Sequence, residues 1–329
     1  MKFSKGRSMK LLVLIMGTLL SCNIYPVTIK MATLVPVGTN WANTLKDMSK
    51  DIKKQTAGKV KFKIYYGGTQ GDEPDVLRKI RVGQLHGGVF TGKTLGDIFS
   101  DIRSIEVPFN FYNDEDKALK AIAIQAKEFN AQIEKSGFIN LGFYGIGKVY
   151  VVSTKKVSSI KEMKGIKMWA WEGDMVVKAM MDSLGLVSVP LALPDVMSSL
   201  STGIIEAAYA PPLGILALQW QSKVKYLIDF PTAYSIGALL ISKKQWNKIK
   251  PNNQLLVKKL AQKNIERANK LAREDNKKAL STLKAMGIKF VSFDKGDLEQ
   301  AEKIRSDVLS KLNGKVLSTN IIKMLEKLR

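Results

Sequence analysis

A single cysteine, Cys22, and a single histidine, His86, occur in 329 residues. With one of each, the chain cannot assemble a Cys/His zinc cluster, an internal disulfide, or a His-based nucleophilic set with residues to spare. Acidic side chains are also few, 29 against 52 Lys plus Arg, and the formal charge is +23. A Gly-rich phosphate loop, a tandem repeat and a Pro-rich spacer are all missing. The strongly apolar stretch at 11–20 is far shorter than the roughly 20 residues a membrane-spanning helix requires. Much enzyme chemistry is therefore excluded.

What is present begins with a targeting segment over 1–22. Lys2, Lys5, Arg7 and Lys10 form a basic start, and the apolar stretch follows. It ends Leu19-Leu20-Ser21-Cys22, which resembles a bacterial lipoprotein cleavage box with Cys22 as the lipidated N-terminus. An ordinary signal peptide cleaved a few residues later fits the same residues. The positive charge invites an anionic partner, but the cations are mostly Lys, and phosphate and base recognition favours the planar fork of Arg. Pairs such as Lys243-Lys244 and Lys277-Lys278 are spread over helix faces without interleaved aromatics. A solvated Lys-rich surface, with no nucleic-acid partner, is the expectation.

The length exceeds the roughly 250–300 residues at which a single core stops growing, so two lobes are expected. From 27 onward short β-type runs alternate with amphipathic helical stretches. Strands are predicted at 27–32, 59–66 and 88–90, with a helix from Thr39 or Asn40 to about 55 and another opened by Asp72 and Glu73. A helix over 114–135 precedes strands at 138–144 and 148–152. A second β/α series follows, with strands at 166–169, 187–189 and 207–209 and helices at 174–184 and 194–202. The apolar run 234–241 is read as a return to the first lobe, ahead of a long helix over 252–286. A strand at 289–292 and helices at 295–312 and 318–328 close the chain. The order implies an α/β fold, a hinged clamshell of two mainly parallel sheets flanked by helices, with ligands at the strand ends facing the cleft. One lobe is assigned to 26–149 plus about 235–275, the other to 150–234 plus about 276–329.

These residues resemble the extracytoplasmic solute receptors of TRAP transporters, the dicarboxylate-receptor family. The stretches carrying the likeness are Gly67-Gly68-Thr69-Gln70-Gly71-Asp72-Glu73, Gln84-Leu85-His86-Gly87-Gly88-Val89 and Val107-Pro108-Phe109. Two more are the run from Ile160 to Met168 and the run from Ser198 to Glu206. The resemblance implies a non-enzymatic receptor without cofactor or metal, exported to the periplasm. There it would close two lobes on a small organic ligand and deliver it to TRAP-type membrane permease subunits. It leaves room for an accessory periplasmic protein and for membrane tethering through Cys22.

Two departures matter. The family's carboxylate-gripping Arg falls at Trp169, and an assisting Asn falls at Ala210. An indole cannot neutralise a carboxylate, and burying an unpaired charge costs several kcal/mol. Trp169 and Trp171 are two apart at a strand end, so both project to one side as stacking surfaces. Tyr209 stands where the next strand meets the cleft, and Leu193 resembles an apolar pocket position. Glu73 at a helix start, Trp41 and Phe90 are candidate walls of the first lobe. Lys148 is the nearest remaining cation for an anionic ligand. The expected ligand is hydrophobic or aromatic-contacting. A carboxylate held by Lys148, and a basic surface lipoprotein acting as an interaction protein, are the alternatives.

Overall fold

The computed structural model describes residues 26–328; the targeting segment and Cys22 lie outside the described residues. The chain opens with β1 (Val27–Thr33), α1 (Asn40–Gln55), β2 (Val60–Tyr65), α2 (Glu73–Arg81), β3 (Gly87–Thr91), α3 (Gly92–Ile98) and α4 (Glu115–Lys135). It continues through β4 (Phe138–Ser153), β5 (Lys167–Ala170), α5 (Met175–Leu184), β6 (Val187–Pro190), α6 (Val196–Thr202), β7 (Ala207–Ala210), α7 (Pro212–Ala217) and β8 (Tyr226–Ile228). Next come β9 (Ala233–Ser242), α8 (Lys243–Trp246), α9 (Pro251–Ala285), β10 (Lys289–Val291), α10 (Lys295–Leu312) and α11 (Thr319–Leu328). Helix starts follow capping chemistry: Thr39 Oγ1 accepts from Ala42 N at 3.1 Å, and Asp174 Oδ1 accepts from Val176 N and Val177 N at 3.1 Å.

The first sheet runs β2-β1-β3-β9-β4, with β1 parallel to β2 and β3 and with β9 antiparallel to β3 and β4. The second runs β4-β7-β5-β6, and the β8–β10 pair joins it along the end of β4. β4 therefore belongs to both sheets. It was expected as two strands, 138–144 and 148–152, but is continuous, with pairing shifts between Asn140 and Phe143 and between Gly145 and Gly147. Gly147 has φ 138° and lies against Asn276 of α9, where a Cβ would collide. A glycine bulge bends the strand there without ending it. The run expected at 234–241 does return to the first sheet, as β9.

Helix α9 packs on α1, β4 and α7 and so reaches both sheets. Its Asn276 donates to Ile146 O at 2.8 Å and accepts from Leu213 N at 3.0 Å, tying α7 to the bend in β4. One apolar core runs from Phe90 and Ile105 beside the first sheet to Met168, Met181 and Val308 beside the second. Smaller cores lie between α1, α9 and the first sheet, and around Trp169 and Trp220. The 3-10 turn Ser100–Glu106, with α3, α7 and β8, has no counterpart in the expected elements. These pieces are too short for a periodicity to show, and α3 carries Gly92 and Gly96. The helix expected at 194–202 is a 3-10 turn, Leu193–Asp195, followed by α6.

Gly237 on β9 faces Tyr144 across the β4 pairing. A methyl group on it would overlap the Tyr144 ring and the Phe90 carbonyl, and the latter is backbone that cannot move aside. Gly237→Ala is expected to destabilise the fold by about 2 kcal/mol, seen as a lower urea midpoint with unchanged slope.

Candidate ligand-binding site

A cavity of about 240 Å³ opens between the two sheets. Trp41 of α1, Glu73 at the start of α2 and Tyr144 of β4 face it from the first sheet. Trp169, Trp171, Leu193, Tyr209 and Ala210 face it from the second. Phe90 does not: it is fully buried in the core while its neighbours Val89 and Thr91 line the cavity, because successive strand residues point to opposite sides. Lys148 does not either. Tyr144 and Ile146 line the cavity, the bulge at Gly147 inserts one residue, and the lining continues at Val149. Lys148 is thereby turned outward, and its Nζ donates to Asn113 O at 2.9 Å.

The aromatic wall is a stack rather than a set of separate rings. Trp169 lies parallel to Tyr209 at 4.9 Å, tilts against Trp171 at 5.0 Å and meets Trp220 edge-on at 5.6 Å. Trp169 is only 1% exposed, and its Nε1 donates to Leu191 O at 3.0 Å. Trp171 and Tyr209 are half-buried, as is Trp41 on the opposite wall, which packs against Tyr144 at 4.3 Å. The Tyr209 hydroxyl is enclosed and lies against the Trp171 backbone without meeting the geometry of a hydrogen bond; burial raises its pKa well above the usual value.

Asp72 and Glu73 divide the work at the α2 start. Asp72 Oδ1 accepts from Glu73 N at 2.8 Å, capping the helix. Its Oδ2 accepts from Trp171 Nε1 at 2.9 Å and from Leu193 N at 3.1 Å, so one carboxylate fastens the first sheet's helix to two segments of the second. Glu73 is buried in the cavity wall and accepts from Thr91 N at 2.9 Å and Thr91 Oγ1 at 3.0 Å. Burial, aided by the charge of Asp72, outweighs those bonds and the nearby Thr94 hydroxyl and raises its pKa from 4.5 to about 7.

Sequence reasoning missed the charged centre of the site. Arg103 is buried in the 3-10 turn, with Nη2 at 2.9 Å from Asp174 Oδ1 and Nη1 at 3.2 Å from Glu106 Oε2. Glu106 also accepts from Ser235 Oγ at 3.0 Å and Ile236 N at 2.9 Å, and burial raises its pKa. The only local signal was the spacing of three between Arg103 and Glu106; Asp174 is distant in sequence. The other cavity cation, Lys93, is bound to Asp97 at 2.8 Å. Among the described residues no group of His, Cys, Asp and Glu could hold a metal ion.

A two-lobed α/β fold with a partly open cavity at the sheet junction fits the comparisons. The family model described as bacterial extracellular solute-binding protein, family 7, matches residues 31–315. The chain belongs to that family. A solute-binding protein of Chromohalobacter salexigens is 27% identical over 165 residues, which is 50% of this chain and 49% of that protein. The C4-dicarboxylate-binding periplasmic protein DctP of Rhodobacter capsulatus is 21% identical over 80% of this chain and 79% of its own length. Among solved structures, the TRAP periplasmic solute-binding protein of Desulfovibrio salexigens with bound orotic acid superposes with a TM-score of 0.83 at 17% identity. That alignment covers 92% of this chain and 98% of its partner. The Citrobacter koseri protein with bound D-glucuronate gives 0.82 at 24% identity, covering 92% and 99%. This chain is thus a bacterial extracellular solute-binding protein of family 7, a receptor and not an enzyme.

Two outcomes follow from the buried charges. Glu73 holds a proton in the folded protein between pH 4.5 and about 7 that the unfolded chain has already lost. Stability should therefore fall as pH rises through that window, by roughly 3 kcal/mol, and urea titrations of Glu73→Gln should lose this fall. Arg103→Met leaves Glu106 and Asp174 buried without their cation, and should cost about 3–5 kcal/mol in the same measurement at neutral pH.

Proposed function

We propose that this receptor closes on a small organic ligand with a largely apolar body, held against the Trp and Tyr walls, and passes it to a TRAP-type permease. The observation that carries this reading is the state of the cavity's cations. Arg103 is engaged by two carboxylates and Lys93 by a third. A ligand carboxylate competing for Arg103 would leave Glu106 or Asp174 buried and short of its counter-charge, which costs more than a new pair returns, and Lys93 is already paired with the exposed Asp97. Trp169 and Ala210, where the family resemblance leads one to expect Arg and Asn, supply no replacement.

The relatives bound to orotic acid and D-glucuronate support the rival reading, a carboxylate ligand. The alternative grip through Lys148 is disfavoured by its outward direction. In this reading export from the cytoplasm depends on the targeting segment, and any tether on Cys22.

Native mass spectrometry of freshly purified protein, followed by identification of the released molecule, tests the proposal. An apolar or aromatic compound is expected; a dicarboxylate or uronate would overturn it. With that compound, intrinsic tryptophan fluorescence should change on binding, and Trp169→Arg should weaken affinity at least about ten-fold, or about 1.4 kcal/mol.

A further inference from the structure

Summed over the cavity, charge runs opposite to the protein as a whole. Glu73, Glu106 and Asp174 face it, against Arg103 and a Lys93 already answered by Asp97. One guanidinium balances one carboxylate, so acids remain in excess. Asp72 adds another just behind Trp171. This excess sits among aromatic rings, and two of them, Trp41 and Trp171, are half-buried on opposite walls.

Electron-rich ring faces beside buried carboxylates make the environment in which an organic cation is favoured and an anion rejected. We propose that the ligand carries an ammonium centre on its apolar body, held by Glu73 and by the faces of Trp41 and Trp171 as the lobes close. The inference rests on the apolar-ligand reading above and adds its charge.

The remaining polar atoms agree with such a ligand. Arg103 Nε and Tyr209 Oη are buried without hydrogen-bond partners on residues that line the cavity. A neutral oxygen on the ligand, a hydroxyl or an amide carbonyl, would satisfy either donor without adding negative charge. The ligand body has Leu193, Ala210 and Val149 to pack against. Glu73 is the carboxylate with no cation bonded to it: its hydrogen bonds come from Thr91. Glu106 and Asp174 share Arg103, which leaves them less to offer. A ligand ammonium would supply Glu73 with the counter-charge that burial has denied it.

The test uses three probes of similar shape and different charge: 2-phenylethylammonium, 2-phenylethanol and 3-phenylpropionate. Each is titrated into the mature protein by tryptophan fluorescence or calorimetry at pH 8, above the Glu73 pKa of about 7. The ammonium is expected to bind at least about ten-fold more tightly than the alcohol, and the carboxylate most weakly. Glu73→Gln should abolish most of the ammonium's advantage over the alcohol when both are titrated into the same variant, whose folding is checked by circular dichroism. Equal affinity for ammonium and alcohol would overturn the charge assignment and leave the apolar reading standing. Tightest binding of the carboxylate would overturn both. Absence of saturable ammonium binding overturns the proposal, as does an ammonium advantage that persists in Glu73→Gln. Should that variant not fold, the ranking in the unaltered protein decides.

Discussion

Arg103 is the constraint around which the cleft is organised. Its side chain leaves a turn on the first half of the chain and ends against Asp174, the residue that caps α5 in the second. Glu106 holds the other side of the guanidinium and, through Ser235 and Ile236, the returning strand β9. Three segments that meet nowhere else in sequence are thus tied at one buried cation. Such a cluster is a modest source of net stability, because desolvation offsets most of the attraction. It is demanding in geometry, since losing any member strands a charge. The cleft walls inherit that rigidity, and so does the charge balance of the cavity.

The contrast between surface and interior explains how a chain of formal charge +23 surrounds an acid-rich cavity. Its excess Lys residues lie largely along exposed helix faces such as those of α9, where water screens each of them and the contribution to the interior is small. Inside, where screening is weak, one unbalanced carboxylate outweighs many distant ammonium groups. Glu73 lies out of reach of those surface cations, with a pKa raised by burial and further by the neighbouring Asp72.

The bend in β4 is the second organising element. By passing through both sheets it makes the lobes one continuous structure, and by bulging at Gly147 it decides which of its residues see the cavity. Lys148 was expected near the ligand only as the nearest remaining cation, and the direction this bulge gives it is set by the pairing of β4 with β9, which no run of residues encodes. Phe90 was misplaced for a simpler reason. A strand buried on both faces offers no polar alternation to say which side is the core.

Local chemistry was readable from the order of residues alone. The helix starts at Thr39 or Asn40, at Asp72 and at 174, the β/α alternation and the family motifs each depend on neighbours within a few positions, and so did the export segment as an expectation. The clustering of Trp169 with Trp171 belongs to the same class. What needed the folded chain were the partners: Asp174 for Arg103, Trp171 for Asp72, Thr91 for Glu73. Those pairs lie 71, 99 and 18 residues apart. No propensity or periodicity encodes such distances; they are set when two sheets and a spanning helix pack, and only then do charges acquire the surroundings that give the cavity its character.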